Sequence, residues 1–241
     1  MSKIYEALKK AEQDRERTRL RTYARPAAGS GRPVPTDGTE EDYQKLRASL
    51  VSIAVPSGLH TILITAPRHG EGVTTVAIGL ATALAQERES RVVLVEGNLR
   101  TPCFSTLLPL TTESGLADFA AGRVAPEVLA TRVDALNFSV ISAGAAPSLP
   151  INFEMLDALL TRLRSQFDFI VIDGPPVNQY ADASVLATKV DGVILVVEAD
   201  STPVVDAETA KRQLDKVGTR ILGVVLNRRR SYIPAFLESI L

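Results

Sequence analysis

Gly70, Gly72 and Thr74 fall in the stretch "APRHGEGVTT", residues 66–75, and Asp173 closes the apolar run "FDFIVID" far downstream. Two glycines that let the backbone turn its N–H groups toward one point, followed by a hydroxyl, are the parts of a phosphate grip. An acid at the tip of a buried strand is the part that holds Mg²⁺ beside such a grip. These residues therefore suggest nucleotide binding over residues Gly70, Glu71, Gly72, Val73, Thr74 and Thr75, with a metal at Thr74 and Asp173. The generic pattern, however, has Lys directly before the hydroxyl and an earlier glycine. Here Val73 stands at the lysine position and Pro67 at that glycine. On spacing alone the match fails. Context keeps the reading: "HTILITA" before the loop is β-rich, and "TTVAIGLATALAQER" after it is an apolar helix whose positive N-terminal end suits an anion. The alternative for Asp173 is an acid that caps a loop.

The elements that must position these residues follow from periodicity. "HTILITA", "RVVLVEG", "FSVISAG", "FDFIVIDGPP", "DGVILVVEAD" and "RILGVVLNRR" are short Val/Ile/Leu runs. Such runs are expected as strands buried on both faces. Between them, "FEMLDALLTRLRSQF", "ADASVLATKV" and "VVDAETAKRQLDKV" have helical spacing, and "ESGLADFAAG" and "PEVLATRV" suggest short helices. A further helix, "EEDYQKLRASLVSIAV", precedes the first strand. Strands alternating with helices predict an α/β fold built on a doubly wound, mostly parallel sheet with helices on both faces. Ligands of such sheets sit at the carboxyl ends of the strands, where every motif named here falls.

Composition narrows the classes. The 241 residues are 45% hydrophobic, enough for a sizeable core, and the net charge of −1 gives no case for nucleic acid. A single cysteine, Cys103, excludes an intrachain disulfide framework and fits a reducing compartment. "MSKIYEALKKAEQDRERTRL" lacks the apolar centre of a signal peptide, and no run has the length of a membrane span. The expectation is a cytoplasmic protein. Residues 1–20 read as an amphipathic helix with Ile4, Leu8 and Ala11 on one stripe, and residues 21–38 as a Pro/Gly-rich linker. Residues 39–241 read as the main domain.

Together these blocks resemble the tyrosine autokinases of bacterial capsule and exopolysaccharide systems, within the MinD/ParA-type P-loop ATPases. The resemblance covers nearly everything after Thr39. It rests on the loop, "VVLVEGNLRTP", "GLADFAAG", "FDFIVIDGPPV", "ADASVLATKVDGVILVVEADST" and "ILGVVLNR", in that order and spacing. "MSKIYEALKKAEQ" also looks like the opening of exopolysaccharide-associated members. The resemblance implies a P-loop NTPase fold, ATP and Mg²⁺ as cofactors, and a membrane polysaccharide co-polymerase or chain-length regulator as partner. An active kinase paralogue or a homo-oligomer are further implied partners, with membrane association through the partner.

The departures bear on activity. In the family the loop lysine contacts the β- and γ-phosphates; Val73 cannot. The family's D-x-D-x-R-x-P becomes Glu96, Asn98 and Arg100, and Asn98 replaces the acid implicated in activating the tyrosine hydroxyl. Its E-x-x-R-x-x-R becomes Glu41, Gln44 and Arg47. Active members end in a tyrosine-rich tail; "RRRSYIPAFLESIL" offers only Tyr232 as phosphoacceptor. An ammonium about 4 Å from a phosphate charge contributes roughly 4 kcal/mol in a partly screened site. Loss of one transition-state donor typically costs ~2.7–4 kcal/mol, and loss of a base a further 10²–10⁴ in rate, roughly. Weakened nucleotide binding with little phosphoryl transfer is the expectation.

Single residues leave alternatives. Arg68 falls where MinD-type relatives carry a second lysine, so it is either a phosphate clamp or a solvent-facing loop arginine. Asn227 is either an adenine contact or a strand-end turn residue. His69 reads as a loop residue and Cys103 as a structural thiol. The arginines of "NRRRSY" suit an anionic partner or a solvated charge run. Three functions compete: a kinase-like regulator or scaffold with impaired catalysis, a working autokinase that uses Arg68 with Asp173, Glu96 and Asn98, and a MinD/ParA-like ATP-dependent positioning switch.

Overall fold

A computed structural model describes residues 39–87, 89–110, 114–144 and 153–229. The expected N-terminal helix (1–20), the linker (21–38) and Tyr232 lie outside the described residues. The chain divides into Met1–Pro33 and Val34–Leu241, and all described residues belong to the second unit.

Helix α1 (Glu40–Ser57) opens with a reciprocal cap. Thr39 Oγ1 accepts from Asp42 N at 3.2 Å, and Asp42 returns by accepting from Thr39 N at 3.0 Å. Two N-terminal donors that the helix cannot satisfy are thereby paired. Gly58, at φ 61°, ends the helix in a left-handed cap. β1 (Thr61–Thr65) is buried throughout. Helix α2 (Val73–Ala85) is apolar nearly all round because it lies between the sheet and α1. The approach is close: a Cβ on Gly79 would stand 2.3 Å from the Tyr43 ring.

The remaining strands are β2 (Val92–Glu96), β3 (Thr131–Val133), β4 (Phe138–Ile141), β5 (Phe169–Asp173), β6 (Gly192–Glu198) and β7 (Ile221–Asn227). The sheet has seven strands in the order β3-β4-β2-β5-β1-β6-β7. All pairs are parallel except β3 with β4. Alternation splits the core. Ile62, Ile64, Leu94 and Val171 face α1 and α2. Leu63, Val93, Ile172 and Leu195 face α5 (Phe153–Gln166), α6 (Ala181–Ala187) and α7 (Val204–Lys216). Two short helices, α3 (Phe104–Leu107) and α4 (Leu116–Ala120), complete the chain between β2 and β3.

Two expectations are corrected. "PEVLATRV" is not a helix: Pro126–Val128 makes one 3-10 turn, and Thr131–Val133 pairs antiparallel with β4. Three residues are too few to show a period, and pairing across the sheet overrides local preference. β7 is not buried on both faces: Val224 is 62% and Leu226 55% exposed. Its composition reads as a central strand, but its position is an edge.

Removing the Thr39 side chain is expected to cost about 1 kcal/mol. Thr39→Ala and Asp42→Ala should each lower the urea midpoint, and the double variant should fall by less than their sum because both remove the bond that Thr39 Oγ1 donates to Asp42 Oδ2 at 2.7 Å.

Candidate nucleotide-binding site

The register brings the candidate residues to one sheet edge. Asp173, last in β5, stands beside Glu96 at the end of β2 and beside Ile64 near the end of β1. The loop Ala66–Gly72 leaves β1 at this level and runs into the N-terminus of α2.

Peptide planarity explains the loop's shape. Asn227 Nδ2 donates to Glu71 O at 2.9 Å, and Arg228 Nη1 donates to Gly70 O at 2.9 Å. Each carbonyl lies opposite the next residue's N–H across a trans peptide, so holding both carbonyls toward the end of β7 turns the Glu71 and Gly72 N–H groups the other way. Gly72 is required here: it sits at φ 90°, and a Cβ would come within 2.1 Å of Asn227 Nδ2. The side chain of Glu71 is also used internally. It is 1% exposed, and its Oε1 accepts from Thr202 Oγ1 at 2.8 Å and Arg68 Nε at 3.3 Å. Its Oε2 has no partner among the described residues, and burial raises its pKa.

Thr74 Oγ1 donates to Asp173 Oδ2 at 2.8 Å. Asp173 is 1% exposed, and its Oδ1 has no partner among the described residues. A buried carboxylate oxygen left without a donor beside a hydroxyl suits a hydrated Mg²⁺, which would supply the missing charge. Desolvation, helped by the nearby Glu96 charge and opposed by the Thr74 bond, pushes the Asp173 carboxyl up to about 7. Cys103 Sγ lies 3.7 Å from Thr74 Oγ1, and burial and the Asp173 charge push its thiol up to about 12. At that value it is a protonated, structural thiol at neutral pH.

The other candidates are engaged elsewhere. Glu96, 2% exposed, accepts from Cys103 N (2.5 Å), Phe104 N (2.8 Å) and Ala143 N (2.8 Å). It ties the start of α3 and the end of β4 to β2. Asn98 bonds Thr101 through both ends of its amide, closing its own turn. Arg100 pairs with Asp182 at 2.8 Å and stacks 4.6 Å from the Tyr180 centroid. Arg68 donates from Nη2 to Ser201 O at 2.8 Å and reaches Asp206 at 3.7 Å. Thr75 carries the carbonyl that the Tyr43 hydroxyl reaches at 3.5 Å. Sequence reasoning missed Thr202, Arg228 and Asp206. Thr202 closes the block "ADASVLATKVDGVILVVEADST" and Arg228 lies in the arginine run, but nothing there signalled their bonds to Glu71 and Gly70.

A family model, ParA, described as NUBPL iron-transfer P-loop NTPase, matches residues 59–238. The chain belongs to the ParA family of P-loop NTPases. Among its relatives is the putative tyrosine-protein kinase CapB of Staphylococcus aureus, 28% identical over 80% of this chain and 86% of CapB. The putative tyrosine-protein kinase EpsB of Ralstonia nicotianae is 28% identical over 87% of this chain but only 28% of its own length. Among solved structures, the chimerical protein CapA2B2 aligns with TM-score 0.73 and 26% identity, over 79% of this chain and 85% of that one. MinD of Pyrococcus horikoshii, complexed with Mg-ADP, aligns with TM-score 0.61 and 26% identity, over 75% and 76%. This ParA-family chain is thus tyrosine-kinase-like, with the P-loop NTPase fold that its sequence leads one to expect. Among the described residues no helix is long and apolar enough to cross a membrane.

Two measurements test the assignments. Glu96→Ala strips three backbone N–H groups of a charged acceptor and should cost at least about 3 kcal/mol of folding stability; an unchanged denaturation midpoint would contradict the anchoring role. For Asp173, the folded state holds its proton above the ordinary value of 3.8 and up to about 7. The native protein therefore binds more protons than the unfolded chain in that window, and stability falls as pH rises through it. Asp173→Asn should flatten that fall and leave the metal-free protein more stable than the parent above pH ~7.

Proposed function

We propose that this protein is a nucleotide-holding, tyrosine-kinase-like member of a capsule or exopolysaccharide system with impaired phosphoryl transfer, acting as regulator or scaffold. The observation that carries the reading is the loop's inventory of positive charge. The lysine position is Val73, and the Arg68 guanidinium is bonded to Ser201 O, Glu71 and Asp206. Backbone N–H groups, the N-terminal end of α2, Thr74 and Asp173 are left to hold a nucleotide. Bound Mg²⁺ would neutralise phosphate charge, with Thr74 and Asp173 as its protein ligands. Asn98, an amide engaged with Thr101, supplies no base for a tyrosine hydroxyl. Affinity falls with the missing cation and rate falls further, so binding outlasts turnover.

The relatives favour this setting over a positioning switch, since the CapA2B2 alignment exceeds the MinD one (TM-score 0.73 against 0.61). EpsB carries its matching part within a much longer chain. By analogy this chain would meet a separate membrane co-polymerase, an active kinase paralogue or a copy of itself, at the cytoplasmic face of a membrane. Residues 1–20 would provide the contact, joined by the 21–38 linker to the domain at 39–241. ATP·Mg calorimetry beside an autophosphorylation assay tests the core of this reading. Expected are weak binding, no detectable transfer to Tyr232, and at least ~10²-fold tighter binding in Val73→Lys. Brisk ATP turnover lost in Arg68→Ala would instead show that the arginine swings onto the phosphates.

A further inference from the structure

Among the described residues β7 is an edge strand, and they leave its apolar face uncovered. Parallel pairing sets Val224 beside Leu195 and Leu226 beside Val197, on the same side of the sheet. Leu195 is 3% exposed under α7, which buries Ala210 and Leu214 on that face. One strand further out, Val224 is 62% and Leu226 55% exposed. Two large apolar side chains side by side on an edge strand want a cover.

The chain supplies one. Residues 230–241, "RSYIPAFLESIL", follow β7 after two residues. Ile233, Phe236, Leu237, Ile240 and Leu241 recur at i, i+3, i+4, i+7 and i+8, the stripe of an amphipathic helix, and Pro234 suits a first helical turn. Arg228, at φ 55°, already turns the chain out of the strand direction. The lengths agree. Nine residues from Ile233 to Leu241 would cover about 13 Å as a helix at 1.5 Å per residue. The Val224–Leu226 step spans about 7 Å at 3.3 Å per residue. We propose that residues 233–241 of the same chain fold back along β7 and bury Val224 and Leu226. Since Asn227 and Arg228 hold the phosphate loop, the seated segment also steadies the strand end on which that loop depends.

Cysteine pairs in the full-length Cys103→Ser chain test the contact. Leu226→Cys with Phe236→Cys, and Val224→Cys with Leu237→Cys, should each form a disulfide within one chain on mild oxidation, in a yield independent of protein concentration. Val128→Cys with Phe236→Cys serves as control, because exposed Val128 precedes β3 at the other edge of the sheet. It should link at least ~10-fold less. Disulfide-linked dimers that increase with concentration would assign the face to a second copy and overturn the proposal. So would pairs that link no better than the control, or link freely in buffer yet remain equally accessible to a bulky maleimide before oxidation. Protection appearing only with anionic phospholipid vesicles would assign the stripe to a lipid surface instead.

Discussion

Everything at the candidate site depends on two carbonyls being held outward. Gly70 O and Glu71 O are taken by Arg228 and Asn227, and the planar peptide then commits the following N–H groups to the opposite side. Without those bonds the loop is a glycine-rich segment free to choose among many backbone states, and ordering it would cost entropy at the moment of ligand binding. The loop's shape is thus a property of β7 as much as of its own glycines. Thr202 and Arg68 add a second brace through Glu71.

That brace also explains why the arginine in the loop cannot be read as a replacement lysine from its position alone. A guanidinium has a planar fork that satisfies several acceptors at once, and here Ser201 O, Glu71 and Asp206 offer them. The nearly buried Glu71 carboxylate needs a cation nearby, and Arg68 is the neighbour that meets it. The Arg68 charge is thereby paired within the fold.

A similar exchange has happened at the end of β2. Glu96 gathers three backbone donors and Asn98 closes a turn, so both residues that stand at the acidic positions of the family's D-x-D-x-R-x-P motif are engaged by local architecture. Asp173 differs. It has one bond, to Thr74, and an oxygen without a partner among the described residues, in surroundings that hold its proton to about 7. Asp173 thus retains an acceptor that the described residues leave unused, whereas Glu96 and Asn98 are engaged by their own neighbours.

Val/Ile/Leu runs, spaced by helical segments, were enough to specify six parallel strands and the edge on which loop, Glu96 and Asp173 meet, because burial on both faces leaves a local mark in composition. Order and spacing of the motifs were enough to place the chain among tyrosine-kinase-like ParA relatives. The short β3 and the exposure of β7 were not legible: three residues carry no period, and an edge strand differs from a central one only in what lies beside it. Nor could sequence decide between clamp and brace for Arg68, or between adenine contact and structural support for Asn227, whose amide proves to hold Glu71 O. Each makes a hydrogen bond in the fold to a partner more than 130 residues away in the chain, Ser201 for one and Glu71 for the other. Hydrogen bonds act over about 3 Å of space and leave no trace in sequence separation.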